Sequence, residues 1–422
     1  MAGRFFLFLL LAAASALGQD DPKRLDALEK ENQELRQRVG NLEGAKAADE
    51  KAQEEALARE VQHVEDEGLG LNMVVRRGTV WGIFQLFGDT GVNYLSPELA
   101  NRGTTYFFDG SVDLFFTARV GDHFQVLSET VFQTSIGATV DTSKWDQERL
   151  WGAWQFSDLV QVKLGLEHGP ISRWNNLYHH GRWLELTITR PFIARFEGDG
   201  GVLPMHEAGI EVLGAFEAGG KVRISYVLFF SNGRGPAVTD VEEFSDHNDS
   251  KAITGGFGFE PMSGQPLFIG IFARWDEIPP NSADPARIHS IGQFATVFQV
   301  DYRGERIQVL SEVGWFTDDD RTSNTEFDHI TGYIQFGYAL NDAWTPYFRF
   351  DIRDMENGDP YYSPVNRDLD IYEIVTGVRF DFLDNAAIKF EIGFGERDER
   401  VSGVVVTDQG YIRVGFQLCF VF

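Results

Sequence analysis

The chain has 422 residues, with 64 Asp plus Glu against 37 Lys plus Arg, a net charge of -27, and a single cysteine, Cys419. That charge excludes nucleic acid as a partner, because phosphates would repel it, and one thiol excludes both an internal disulfide framework and a thiolate zinc cluster. The only long apolar run begins at Phe5 and falls short of the roughly 20 residues that cross a bilayer as a helix, so any membrane crossing has to be made by strands.

Arg4, the apolar run from Phe5, and small residues at Ala14, Ala16 and Gly18 have the layout of a secretory signal peptide over residues 1–18. Residues 19–67 contain no aromatic side chain, although the whole chain is 14% aromatic. Within them Leu25, Leu28, Asn32, Leu35, Val39 and Leu42 fall at the alternating three- and four-residue spacing of a coiled-coil seam with one polar, register-setting position. The seam weakens around Gly44 to Ala48 and resumes at Leu57, Val61 and Val64 in a shifted register. A short oligomeric coiled coil is expected here, with a solvated charged linker as the rival reading.

From Thr79 the period changes to two. Val112, Leu114, Phe116, Ala118 and Val120 alternate with Ser111, Asp113, Phe115, Thr117 and Arg119, and after Gly121-Asp122 the pattern resumes from Phe124. This is a hairpin with one apolar face. The unit recurs with turns at Ser157-Asp158, Glu217 to Gly220, Pro261 to Gln265, Arg303 to Glu305, Asn341-Asp342 and Asp384-Asn385. Seven hairpins, an opening strand near 80–89 and a closing one at 410–422 make sixteen strands in a barrel domain over residues 79–422. Between hairpins the connections read as long, polar and acidic, and short turns at one end with long loops at the other are the asymmetry of an outer-membrane barrel.

Register supplies a test, because a one-residue shift exchanges the two faces of a strand. The apolar set carries no charge in the central stretches, as a lipid face requires when Arg or Lys at the midplane costs about 2 to 4 kcal/mol. The opposite set holds Arg223, Arg274, Glu312, Arg349, Asp351, Arg379, Lys389 and Arg413, which are read as lumen-wall residues facing water. A soluble β-sandwich would share the alternation, but it would explain neither the turn–loop rhythm nor the aromatics near strand ends such as Trp154, Trp275, Trp315 and Trp344.

The final strand, GYIRVGFQLCFVF, is apolar on one side at Phe416, Leu418, Phe420 and Phe422. It is expected to pair with the first strand and leave no open edge. Such a strand ending in Phe resembles the signal that outer-membrane barrels present to the barrel assembly machinery. Together with the leader, the seam from Leu25 to Leu42 and the sixteen strands, it makes the chain similar to the bacterial outer-membrane porins, particularly the phosphate-selective porin family. The resemblance implies an all-β fold, a sixteen-stranded antiparallel transmembrane barrel preceded by a short periplasmic coiled coil. It also implies a bacterial outer-membrane location, a homotrimer, contact with outer-membrane lipid, and passage of small solutes or anions such as phosphate.

One connection, residues 169–205, is far longer than the others, and in sixteen-stranded porins the third long loop folds into the lumen and narrows it. Its Trp174, Leu177, Tyr178, Trp183, Leu184, Phe192 and Phe196 suit a loop packed on a wall, whereas an extra hairpin within it would give eighteen strands. The expected constriction carries Arg173, His179, His180, Arg182, Glu185, Arg190, Arg195, Glu197 and Asp199, with His168 and His206 beside it. A narrow eyelet lies within the screening length of about 8 Å of its wall charges, so guanidinium groups there would tilt permeation toward anions. The inward set is nearly balanced between acids and bases, however, unlike the basic lumen expected of a phosphate channel. Phosphate-loop, nucleophile-elbow and zincin motifs are absent from the sequence, and no catalytic, cofactor or metal site is read, His179-His180 being taken as a polar loop pair. A diffusion channel is therefore expected. A structural tether gripping peptidoglycan or another envelope partner through the coiled coil, and a barrel sleeve for a redox or export partner, are the alternatives.

Overall fold

In the computed structural model of the chain the described residues are 73–77, 80–96, 104–108, 110–136, 141–179, 181–196, 200–240, 249–261, 266–281, 284, 287–401 and 403–422. The leader at 1–18 and the coiled-coil segment at 19–67 both lie outside the described residues.

Alternation of apolar and polar side chains over ten or more residues leaves the chain no helical face, and it forms long strands. These are β1 (Val80–Leu95), β2 (Ser111–Val120), β3 (Phe124–Ile136), β4 (Asp141–Ser157), β5 (Val160–His168), β6 (His206–Ala218), β7 (Val222–Ser231) and β8 (Ala252–Pro261). The second half comprises β9 (Leu267–Ile278), β10 (Ile291–Arg303), β11 (Ile307–Asp320), β12 (Thr325–Tyr338), β13 (Trp344–Met355), β14 (Ile371–Leu383), β15 (Ala386–Val401) and β16 (Val404–Val421). Each pairs antiparallel with the next, and β16 returns to β1 in the register Val421 opposite Phe87 and Arg413 opposite Leu95. Two five-residue strands lengthen the seam without adding staves. Thr104–Phe108 continues the β2 edge against Gly91–Leu95, and Met73–Arg77 continues the β16 edge against Val80–Phe84. The result is the expected closed barrel of sixteen strands.

Closure uses the last residue of the chain. The Phe422 amide donates to the Leu86 carbonyl and the Leu86 amide to the Phe422 carbonyl, both at 2.7 Å. On the outer face the Phe420 ring lies over Gly88, where an added Cβ would come within 2.4 Å of it. A side chain at residue 88 would have to displace that ring.

All seven short turns fall at one end, as the sequence indicates. The other end differs from expectation. The stretches 316–329 and 396–409, which the sequence reading puts among the long acidic loops, are mostly ladder: β11 ends at Asp320 and β12 begins at Thr325, and β15 ends at Val401 and β16 begins at Val404. Backbone groups that would otherwise need water pair with the neighbouring strand, so the strands run well past the roughly 9 to 11 residues that span a bilayer. The connection 169–205 adds no strand among its described residues, so there is no eighteen-stranded barrel. It holds one short helix, α1 (Arg173–Tyr178), and a 3-10 turn at Phe192–Ala194. Pro191 removes an amide that a ladder there would require.

The polarity of the barrel is inverted relative to a water-soluble protein. Phe294 and Phe298 on β10 are about half exposed, while Gln293, Gln299 and Asp301 on the opposite face are buried. The same alternation places Leu164, Ile271, Val313, Ile334, Phe390 and Ile412 outside and Glu129, Arg274, Glu312, Arg349, Asp351, Lys389 and Glu391 inside. A continuous apolar outer surface of this kind is a lipid-contacting surface. Trp154 and Trp344, near the turn end, and Trp275 and Trp315, toward the other, are exposed where interfacial aromatics are expected.

Phe298→Arg places a cation in the middle of the outer face. It is expected to cost about 2 to 4 kcal/mol of folding free energy, read by urea titration of the protein in lipid vesicles. A change under about 0.5 kcal/mol, the scale of a tolerated surface substitution, would contradict the assigned face.

Candidate functional site

Part of the inner wall is apolar. Phe268 and Phe272 on β9, Ala295 and Val297 on β10, Leu310 and Phe316 on β11 and Tyr333 on β12 form one cluster with Ile171, Trp174, Ile193, Ala194, Leu203 and Met205 of the 169–205 connection. Burying Ile171 or Ile193 in this way contributes about 1.5 to 3 kcal/mol each, which gives the connection a reason to lie inside the barrel. Helix α1 starts at Ser172, whose hydroxyl accepts from the Asn175 amide at 3.2 Å. Trp174 in its first turn meets Tyr333 edge-on, with 5.9 Å between ring centroids.

A connection with so little regular structure must satisfy its backbone elsewhere, and here acidic and basic wall side chains do it. Glu312 accepts the Arg173 and Trp174 amides, both at 2.8 Å. Glu391 accepts the Ile188 amide at 2.8 Å and the Thr189 hydroxyl at 2.6 Å, and Asp351 takes the Phe192 amide at 3.3 Å. The carbonyls go to wall cations. Lys389 donates to Thr187 at 3.1 Å, Arg379 to Glu185 at 3.1 Å, Arg349 to Arg190 at 3.4 Å and Arg353 to Gly200 at 3.0 Å. The wall charges are paired among themselves as well: Arg349 with Asp351 at 2.7 Å, and Arg413 with Glu391 at 2.7 Å and Glu373 at 3.1 Å.

The residues expected at a constriction are therefore not all turned to open space. Arg173 lies between Asp301, at 3.1 Å, and the Phe268 ring, at 4.0 Å. Arg182 pairs with Glu185 at 3.2 Å. Burial opposes the charge on Arg182, but Glu185, Asp89 and Asp113 outweigh it and hold the guanidinium more firmly protonated than usual. Arg190 is buried with its guanidinium on the Phe196 ring at 3.8 Å. Arg195 stacks on Phe192 at 4.3 Å, with Glu373 at 4.0 Å. His179 is buried at the end of α1, while His180, Glu197 and Asp199 lie outside the described residues. Of the expected wall residues, Arg274 sits between Glu207 and Asp276, at 2.8 Å from each, and only Arg223 is exposed at the turn end. Phe416 and Phe422 are exposed on the outer face, with Leu418 and Phe420 half-buried between neighbours.

Sequence reasoning missed a second inward element. In the 356–370 connection Tyr361 and Tyr362 are buried. The Tyr362 hydroxyl accepts from Arg234 and Gln293, both at 3.2 Å, and donates to the Val202 carbonyl at 3.3 Å. Arg287 reaches the carbonyls of Pro236 and Pro279, and Arg367 that of Val238, so the connections that follow β7, β9 and β13 knit together over the barrel end. The signal was a tyrosine pair in an otherwise acidic loop.

Among the described residues one open space is a cavity of about 510 Å³ on the turn side, between the β4–β10 wall and α1, and a second of about 250 Å³ is lined by Trp183, Leu186, Arg379 and Asp381. The charged lining of the first is Arg149, Lys163, Arg173 and Arg223 against Asp158, Glu167 and Glu211. Lys163 is paired with Glu167 at 3.1 Å and Glu211 at 2.8 Å. Arg223 has no ion-pair partner among the described residues.

No protein-family model matches the sequence, and no curated protein matches it. Solved structures do share the fold. The chain is similar to an anion-selective porin from Comamonas acidovorans, at 10% identity and a TM-score of 0.57 over 81% of this chain and 100% of that one. It is also similar to the outer membrane channel DcaP of Acinetobacter baumannii, at 12% and 0.57 over 83% and 100%. Salmonella typhi OmpF in complex with daunomycin gives 9% and 0.56, again over 83% and 100%. At these identities the likeness is one of fold.

Glu391→Ala strips the buried Arg413 of an ion-pair partner and frees the Ile188 and Thr189 amides. It is expected to cost about 3 to 5 kcal/mol in detergent unfolding, and to open residues 181–196 to limited proteolysis at a rate the parent chain does not show.

Proposed function

We propose that the chain is an outer-membrane porin, a water-filled channel for passive diffusion of small hydrophilic solutes, without enzymatic activity. The observation that carries this reading is the closed sixteen-strand ladder with large apolar side chains outside and charged ones inside. Such a barrel is stable only where its girdle meets hydrocarbon, and its polar interior then offers solutes a route across. The shared fold with channel proteins supports the reading.

A mild anion preference is the finer proposal. Open space in the barrel borders Arg149, Lys163, Arg173 and Arg223, and of these Arg223 is the one outside an ion pair among the described residues, with Glu217 and Glu260 opposite it on the two neighbouring strands. At separations of about 4 Å two unit charges interact by about 1 kcal/mol even in water, enough to bias passage several-fold. Selectivity for phosphate itself finds less support, because most inward cations are bound to loop carbonyls or to wall acids. We also assign a homotrimer in the bacterial outer membrane, inserted by the barrel assembly machinery. Strand β1 begins at the short-turn end, the periplasmic end in such barrels, which favours a periplasmic place for the residues before it and leaves a peptidoglycan or envelope partner open to them.

Purified full-length protein in planar bilayers is expected to give stepwise, ohmic conductance; a silent bilayer with folded protein would sink the proposal. In a potassium chloride gradient Arg223→Glu is expected to lower the anion-to-cation permeability ratio several-fold, whereas Arg190→Ala, whose guanidinium rests on Phe196, is expected to leave the reversal potential unchanged.

A further inference from the structure

We propose that His168, His179, His206 and Glu148 form a binding site for one divalent transition-metal ion of the zinc type, which pins the 169–205 connection to its own roots on the barrel wall. The four residues come from four places. His168 ends β5 and His206 begins β6, where they face each other across the ladder. His179 ends α1, and Glu148 belongs to β4.

Glu148 reaches the site through a local irregularity. On the β3–β4 ladder Glu129 pairs with Arg149 and Thr130 with Gln147, so Glu148 is the extra residue of a β-bulge. In a regular strand it would share the outward face of Leu150, which is 51% exposed; it is 3% exposed instead. All three histidines are buried with it.

The geometry suits a metal. One ligand atom from each histidine lies within 4.8 Å of the others. Glu148 Oε2 is 2.9 Å from His206 Nε2 and 3.6 Å from His179 Nε2. Bonds of 2.0 to 2.1 Å in a tetrahedron put ligand atoms about 3.3 Å apart, so a small closure of the cluster completes the set. Three imidazoles with one carboxylate is a donor set for zinc or its neighbours, not for calcium or magnesium.

Outer support is present as well. Asn175 Oδ1 hydrogen-bonds His179 Nδ1, which places the proton on Nδ1 and turns the Nε2 lone pair toward Glu148. Asn175 is itself held by donating Nδ2 to the Met205 carbonyl at 2.9 Å. Such second contacts are what fix a ligating imidazole. A second group, Asp318, His329 and Asp359, is a hydrogen-bonded triad instead: His329 Nε2 is 2.7 Å from Asp359, and Nδ1 accepts the Glu356 amide at 3.1 Å.

The test is cobalt titration of chelator-stripped, full-length protein in detergent, followed by competition with zinc. One Co²⁺ per chain is expected, with the intense visible bands of four-coordinate cobalt and displacement by Zn²⁺. Asn175→Ala is expected to weaken binding about 10- to 100-fold and His179→Gln at least as much, while His123→Gln, at an exposed turn, leaves it unchanged. Absence of stoichiometric Co²⁺ and Zn²⁺ binding by the unmodified chain, which needs no variant to fold, would overturn the proposal. So would a His179→Gln protein that binds as tightly as its parent.

Discussion

The structure depends on one constraint: within hydrocarbon a backbone amide or carbonyl has no partner except another backbone group. An open sheet of these sixteen strands would expose two unpaired edges, and the β16–β1 ladder, ending in the paired bonds between Phe422 and Leu86, removes both. Everything inside the barrel follows from that closure. With lipid outside, the apolar side chains that would build a soluble core are used on the outer surface, and the interior must be filled by polar groups that satisfy one another.

The interior resolves this with charge. Acids and bases on the wall are nearly balanced in number, and the structure gives that balance a use besides solute selection. Glu312, Glu391 and Asp351 take loop amides, while Arg349, Lys389 and Arg379 take loop carbonyls, so a connection with almost no secondary structure has its main chain satisfied. Leaving a buried ion uncompensated costs several kcal/mol. The network is therefore cooperative, and the loop and the wall hold one another.

Much of the fold was legible in the sequence because a period of two, read over runs of ten or more residues, leaves few alternatives. The seven short turns and the greasy closing strand follow from residue type alone. The loop ends were misjudged where strands continue past the apolar band, since Asp318 to Asp320 and Glu396 to Arg400 look like solvated acidic loop yet pair in a ladder. The bulge at Glu148 left a trace that was not read: outward positions run Trp145, Gln147 and then Leu150, Gly152, Trp154, a slip of one residue in the alternation. The charged residues of the 169–205 connection could be named from composition. Their directions could not, because whether Arg190 faces water or lies on Phe196 depends on contacts between residues far apart in the chain. Inward apolar residues such as Phe268, Phe272 and Phe316 break the polar character of the inner face, and only the loop that covers them gives them a use.

The wall recognises the main chain of the inner connection more than its side groups. Amides at Ile188, Thr189 and Phe192, and carbonyls at Glu185, Thr187 and Gly200, are available whatever residue stands there, with proline the exception at an amide position. The scaffold thus tolerates rewriting of that connection, and natural drift or an engineer can change what a permeating molecule meets without rebuilding the mooring that keeps the segment in position.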